Sequence, residues 1–323
     1  MTNFPQPALL AITHRGQIIE NLHYGWICIL NKDKKIVFHK GNIRDIAYLR
    51  STAKPIQAIP IIDSKVSVTL KELAIICGSH TGSAKHLTVL NNFIRKNKLL
   101  LSDLQCGVHA PSDEPEKNNL IKRGLKPSLL HNNCSGKHLG MIAVCKKNNW
   151  STKSYLSINH PLQKEILKKI KELSETKDVS IAIDGCGAPT FALSIINIAK
   201  LFSNLTNKTN NQYIKIVSAM TQNPFLTGGK NQIDSEIMHA SNSTILTKVG
   251  AEGIIIASKN GESIVVKIAD GSPRIRSVVI LNILKEFKWL NKSEIKNTTI
   301  KEFLKGTIKN HTGKIVGDTS VIL

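Results

Sequence analysis

The 323-residue chain is poor in aromatics, in acidic residues and in long apolar runs. Phe, Trp and Tyr together make up 5% of it. So few flat rings leave little on which unpaired bases could stack, which argues against a single-strand nucleic-acid binder. Asp and Glu number 23 against 44 Lys and Arg, for a formal net charge of +21. A surplus of that kind can mark a nucleic-acid partner. Here the lysines are scattered through KDKK, KKNN, KKIKEL and KEFLKG instead of forming one arm. They read as a solvated surface, and nucleic acid is not the expected partner. No apolar run nears the roughly 18 residues of a membrane span, so no membrane partner is expected either. The opening MTNFPQPALLAITHRGQ has no basic stretch leading into an apolar one, unlike a secretory leader. The expectation is a soluble, cytoplasmic protein.

A disulfide framework is also not expected. Six cysteines stand at 28, 77, 106, 134, 145 and 186. In a long chain without a leader, free thiols are the expected state. Four of them lie beside Gly or Ser, in ICGSH, QCGVH, NCSGKH and DGCGAP. That placement favours a site over core filling.

What is present is a chain of ordinary apolar content, 41%, long enough for a large core. ALLAITHRG, HYGWICILN and KIVFHKG read as strands across residues 8–40, with a polar turn at Asn31–Lys35. Residues 51–62 read as a helix with Pro55 in its first turn. KELAIICGSH ends a second helix in a glycine break, and TGSAKHLTVLNNFIRKNKL reads as a third. Residues 107–133 read as loop. Helices are predicted from Ser135 or Gly136 onward, after Pro161, and through ALSIINIAKLFSNL. STILTKVG, GIIIASKNG and SIVVKIADG form a predicted meander, followed by a long helix in RIRSVVILNILKEFKWL. The fold class is therefore α/β of the α+β kind: one domain over 1–323, with a sheet from about 8–50 and 240–323 and a helical middle over about 51–239.

Five short motifs carry polar chemistry. Ser51 and Lys54 in R-S-T-A-K-P stand three apart, on one face of a helix. A lysine that has lost its proton can take one from a serine hydroxyl; the bland alternative is a capping serine and a solvated lysine. Ser79 lies in C-G-S-H-T-G, where small residues follow a helix end. H-N-N-C-S-G-K-H, from His131 to His138, is the densest polar cluster. It matches neither the phosphate-binding G-x-x-x-x-G-K-[ST] pattern nor C-x-x-C zinc spacing. D-G-C-G-A-P offers Asp184 to hold an amine, and Cys186 as a distant partner for Cys134. Lys248 opens K-V-G-A-E-G, a strand lysine before glycine, as in the K-T-G element of S-x-x-K enzymes.

The order of these motifs along almost the whole chain resembles the bacterial L-asparaginase II family, typified by the inducible rhizobial enzyme. The resemblance implies a fold similar to serine β-lactamases, penicillin-binding proteins and serine-dependent glutaminases. It implies hydrolysis of L-asparagine to L-aspartate and ammonia, in a likeness that also admits homodimers. It implies two serine–lysine pairs, Ser51 with Lys54 and Ser79 with Lys248, Lys267 in K-I-A-D-G being the competing second lysine. Which serine attacks stays open. It implies zinc held by Cys134, Lys137 and Cys186, with Arg50, His138 and Asp184 orienting substrate carboxylate and amine. Val249 replaces the Thr of K-T-G and removes a hydroxyl. A glutaminase, another amidase or a β-lactam hydrolase on the same fold is the alternative enzyme, and a basic binding protein the alternative outside catalysis.

Overall fold

A computed structural model of the chain describes residues 4–208 and 211–323. Its large sheet is antiparallel throughout the assigned pairings. The strands are β1 (Ala8–Arg15), β2 (Ile18–Leu30), β3 (Ile36–Lys40), β7 (Leu246–Val249), β8 (Ile254–Lys259), β9 (Glu262–Ile268), β10 (Ile308–Lys309) and β11 (Ile315–Val321), with β4 (Ile46–Tyr48), β5 (Ser180–Ile183) and β6 (Pro189–Ser194) elsewhere. The large-sheet order is β10-β11-β1-β2-β9-β8-β7, with β3 beside β2. The two ends of the chain thus build one sheet, as expected. The β8–β9 hairpin turns on Asn260 and Gly261, both at positive φ, which a two-residue primed turn requires.

Alternation along the strands separates two cores. Cys28, Leu30 and Val265 face one way, into a core shared with the helical middle. Ile27, Ile29, Ile264 and Val266 face the other. There they meet α12 (Pro273–Glu286), begun by a Ser272 cap, and α14 (Thr298–Lys305). Each fully buried Ile or Val stabilises this packing by roughly 1.5–3 kcal/mol. The other helices are α1 (Lys54–Gln57), α2 (Ile59–Asp63), α3 (Leu70–Ile76), α4 (Ala84–Asn97), α5 (Glu114–Lys122), α6 (Ser135–Lys147), α7 (Pro161–Ser174), α8 (Ile195–Thr206), α9 (Asn211–Gln222), α10 (Pro224–Thr227), α11 (Ile233–Ala240) and α13 (Lys292–Ile295). No helix among the described residues is long and apolar enough to cross a membrane.

Three segments differ from the sequence expectation. The single helix over 51–62 is a 3-10 turn (Arg50–Ala53) followed by α1 and α2. Pro60 has no N–H to donate backward, so a continuous helix would lose a bond there. Residues 107–133 contain α5, capped by Asp113 and carrying Pro115 in its first turn. Leu120 is its one buried side chain, so the apolar stripe that reveals most helices is missing. The helical middle also holds a second sheet, β4-β6-β5. Its β5–β6 connection is the D-G-C-G turn, closed by Asp184 N–H to Ala188 O at 2.8 Å.

Candidate active site

Ser79 stands just beyond the C-terminus of α3, which starts from a capping box between Thr69 and Glu72. A Cβ on Gly78 would lie 2.1 Å from the Thr227 carbonyl oxygen. Only glycine lets that backbone come so close, and Thr227 O then accepts the Ser79 N–H at 2.8 Å. The Ser79 amide is thereby committed to positioning the serine.

Lys54 reaches this serine from the first residue of α1. Its Nζ donates to Gly78 O at 2.7 Å and Asn133 O at 3.2 Å, and stands 2.8 Å from Ser79 Oγ. The sequence pairs Lys54 with Ser51 instead. Those two are joined through the backbone, Lys54 N–H donating to Ser51 O. Ser51 Oγ is not among the partners of the amine, because Lys54 is buried while Ser51 stays half-exposed at the rim. Lys248, expected beside Ser79, sends its amine to Asp234 Oδ2 and Val249 O, both at 3.0 Å. Lys267 turns to Ile268 O at 2.6 Å.

The 3-10 turn opens on Arg50 at φ 47°. For a residue with a Cβ this left-handed geometry costs roughly 1–2 kcal/mol, and such outliers cluster at functional sites. The turn directs the Arg50 guanidinium to Asp184, with Nε 2.7 Å from Oδ1, and Nη1 lies 3.8 Å from Glu252. Beside them, α6 brings Cys134 and Lys137 against the D-G-C-G turn. Lys137 Nζ is 3.0 Å from Cys186 Sγ, and all three side chains are buried. Of the ten positions singled out in the sequence, seven fall into three groups: Lys54 with Ser79, Arg50 with Asp184, and Lys137 with both thiols. Lys248 pairs elsewhere, Ser51 lies at the rim, and His138 follows Lys137 on α6.

The profile of the L-asparaginase II family matches residues 11–321. The chain belongs to this family. Its members are amidohydrolases, so the chain is an enzyme of that class. No curated protein matches it significantly. Among solved structures, a β-lactamase from Mycobacterium bovis aligns over 81% of this chain and 94% of its own, at 10% identity and a TM-score of 0.46. A Bacillus glutaminase aligns over 82% and 91%, at 11% identity and a TM-score of 0.38.

In this L-asparaginase II chain, burial pushes the Lys54 amine down to about 8, helped by the charges of Lys137 and Lys248 and opposed by Cys134. A lysine near that value holds a useful fraction of free base at neutral pH. Cys134 is held well below the usual thiol range, first by a hydrogen bond from Cys186 and then by Lys54 and Lys137. Cys186 is pushed up by sharing that bond and by burial. Burial works to lower Lys137, but the two thiol groups outweigh it and raise the amine. Burial also works against the Asp184 carboxylate, yet Lys137 and Arg50 hold it below the usual range.

The thiol–amine trio suits a soft divalent ion. With its thiol and ammonium protons removed, it offers two thiolates and an amine, a donor set that fits zinc with a fourth position open. Among the described residues there is no group of three or more His, Cys, Asp or Glu that could hold a metal. The trio has only two such residues, and its third donor is the lysine.

Four contributors were given no role from the sequence: Tyr155, Asp234, Ser135 and His80. Tyr155, fully buried, accepts the Gln105 N–H at 3.1 Å, and its hydroxyl lies 2.6 Å from His138 Nδ1. With the hydroxyl donating, His138 is the Nε2–H tautomer, and Nε2 has no partner among the described residues. Asp234 holds Lys248. Ser135 donates to Leu130 O at 3.0 Å, so His80 Nε2 donates to Ser135 Oγ at 2.9 Å. Burial holds His80 neutral, and its Nδ1 takes the Gly82 N–H, so it is not free to serve Ser79 as a base. Tyr155 and Asp234 lie in helix-like or loop-like sequence with no motif around them. The only available cue was a buried-type polar residue far in sequence from its partner.

Proposed function

We propose that the chain hydrolyses L-asparagine to L-aspartate and ammonia with Ser79 as nucleophile and Lys54 as its base. The observation that carries this reading is the 2.8 Å contact between Lys54 Nζ and Ser79 Oγ, made by an otherwise carbonyl-bound, fully buried amine. Neutral Lys54 takes the hydroxyl proton as Ser79 Oγ bonds to the side-chain amide carbon of the substrate. The tetrahedral adduct collapses, the carbon–nitrogen bond breaks, and Lys54 returns the proton to the departing ammonia. Water, relieved of a proton by the same amine, then attacks the aspartyl ester; Ser79 recovers its proton and aspartate leaves. Arg50 takes the α-carboxylate and Asp184 the α-amine, so substrate divides an ion pair that otherwise satisfies itself. His138 offers Nε2–H to a substrate oxygen, and Ser51 relays protons at the rim.

Zinc on Cys134, Lys137 and Cys186 would supply a soft Lewis-acid charge that fixes the substrate against one wall of the site. The reading includes a cytoplasmic homodimer, in keeping with six unpaired cysteines; light scattering on the purified enzyme tests the dimer. The deciding experiment is ammonia release from L-asparagine and L-glutamine by wild type and Ser79→Ala, each with zinc and with chelator. The expected result is turnover of asparagine that Ser79→Ala lowers at least about 10³-fold. Undiminished turnover by Ser79→Ala overturns the nucleophile, and no turnover of either amide overturns the substrate.

A further inference from the structure

We propose that Asp234 is a positioning residue that fixes Lys248 as a permanent cation, so that the site contains one lysine that acts as a base and one that acts only as a charge. The inference rests on the asparaginase reading for what the charge does, but the pairing itself does not.

Lys248 and Asp234 are both closed to solvent. Asp234 comes from the first turn of α11. Its Oδ2 accepts the Lys248 amine at 3.0 Å and the Val249 N–H at 3.2 Å, and its Oδ1 accepts the Ser235 N–H at 3.0 Å. Donors of this kind favour the ionised carboxylate. Arg276, from α12, adds a second positive charge; its Nη1 donates to Gly250 O at 2.9 Å and its Nε is buried without a partner among the described residues. Burial alone would raise the Asp234 carboxyl, but Lys248 first, then the Val249 N–H and Arg276, hold it below the usual range. The other titratable groups facing Lys248 are Lys54 from α1 and Cys77 at the end of α3. Neither is a carboxylate that could replace Asp234. Lys54 presents the opposite case, with two carbonyls and a hydroxyl around its amine and no carboxylate in contact among the described residues.

Asp234 is tied to the nucleophile by a second route. A Cβ on Gly228 would lie 2.9 Å from Asp234 Oδ1 and 2.5 Å from Ser235 Oγ. Ser235 Oγ accepts the Gly229 N–H at 3.2 Å and donates to Pro224 O at 2.8 Å. The neighbouring Thr227 carbonyl is the one that takes the Ser79 N–H. The first turn of α11 thus braces the end of α10 behind Ser79 and supplies the counter-ion of Lys248. The Lys248–Asp234 pair therefore stands directly behind the segment that positions Ser79.

Arginine separates the two roles, because it keeps a positive charge and cannot act as a base. Lys248→Arg should retain asparagine turnover within about tenfold, while Lys54→Arg should lose at least about 10³-fold. Asp234→Asn, nearly isosteric, should lower kcat about 10²-fold with little change in KM, and should add nothing to Lys248→Met in the double variant. Circular dichroism and melting temperature check that each variant folds. If the arginine does not fit, Asp234→Asn decides. A folded Lys248→Arg as inactive as Lys54→Arg overturns the proposal, as does Asp234→Asn within about twofold of wild type. If the wild type hydrolyses neither amide, the asparaginase reading has failed and the pairing is read directly. With carbon-13-labelled lysine and Lys54→Met and Lys248→Met to assign the signals, Lys248 must give an ammonium signal at neutral and mildly alkaline pH. A neutral Lys248 overturns the proposal.

Discussion

Both faces of the large sheet are covered by helices, and they are chemically unlike. Towards α12 and α14, the buried side chains are mainly Ile, Leu and Val, with Ile275, Val279, Ile280 and Ile283 from α12 alone. Towards the helical middle, an apolar core also surrounds Lys54, Lys137 and His138, all buried. Burying three such groups costs free energy unless each finds partners. The difference teaches a division of labour. The α12 face stabilises the sheet chiefly through apolar contacts, Arg276 being its charged exception, and the other face carries the site. Function should break on one face and stability on the other.

The largest expected effect is on the polar face. Lys54→Met keeps the length and burial of the side chain while removing the base. It should lower kcat/KM for asparagine at least about 10³-fold and leave the melting temperature close to wild type, since the variant no longer buries an amine. The pH profile follows from the same group. The amine must be unprotonated to accept the Ser79 proton, so the rate should rise with pH through about 8 and level off above it. A rate that falls through that range would mean that the ammonium form is the active one, and the roles of Lys54 and Ser79 would have to be exchanged for another pair.

The next effect is on the apolar face, and it is one of stability. Ile280 on α12 is fully buried. Ile280→Ala should cost about 2–5 kcal/mol in denaturant unfolding while the folded variant keeps its kcat. A large loss of kcat in fully folded Ile280→Ala would show that the two faces are coupled and would end the comparison.

How far the sequence reaches follows the same division. Strand alternation and the Asn260-Gly261 turn made the sheet and its meander legible, because those signals are local. So were the ends of α3 and α7. The α5 helix was not, since it rests on a cap at Asp113 and buries little more than Leu120. The small sheet was missed because β5 and β6 are short and flank the D-G-C-G turn, which reads as loop. In the site, residue types and order pointed to Ser79, Lys54, Lys137 and the two thiols. The pairing did not follow from spacing: Ser51 and Lys54 are three apart in the chain, but Lys54 meets a serine 25 positions away. Asp234 was invisible for the same reason, as nothing near 234 in the sequence announces a partner at 248.

The smallest expected effect sharpens the contrast between buried and exposed charge. Glu175, at the end of α7, takes the amines of Lys34 and Lys200 and the Asn204 amide. Burial works to raise its carboxyl, but those three partners outweigh it and hold it at about 2. The group is lowered on folding, so its contribution is present above its ordinary value of 4.5 and is lost as pH falls through about 2. The cluster is over a third exposed at Glu175, so water and salt screen most of the attraction. Glu175→Gln, which leaves the backbone untouched, should cost less than about 1 kcal/mol, and less again in high salt. Asp234→Ala removes the partner of a lysine that is closed to solvent, and should cost about 3–5 kcal/mol. Denaturant unfolding of both variants at neutral pH, in low and in high salt, measures the ratio. Equal losses would mean that solvent reaches the Lys248 pair, and that burial is not what separates the two lysine–carboxylate contacts.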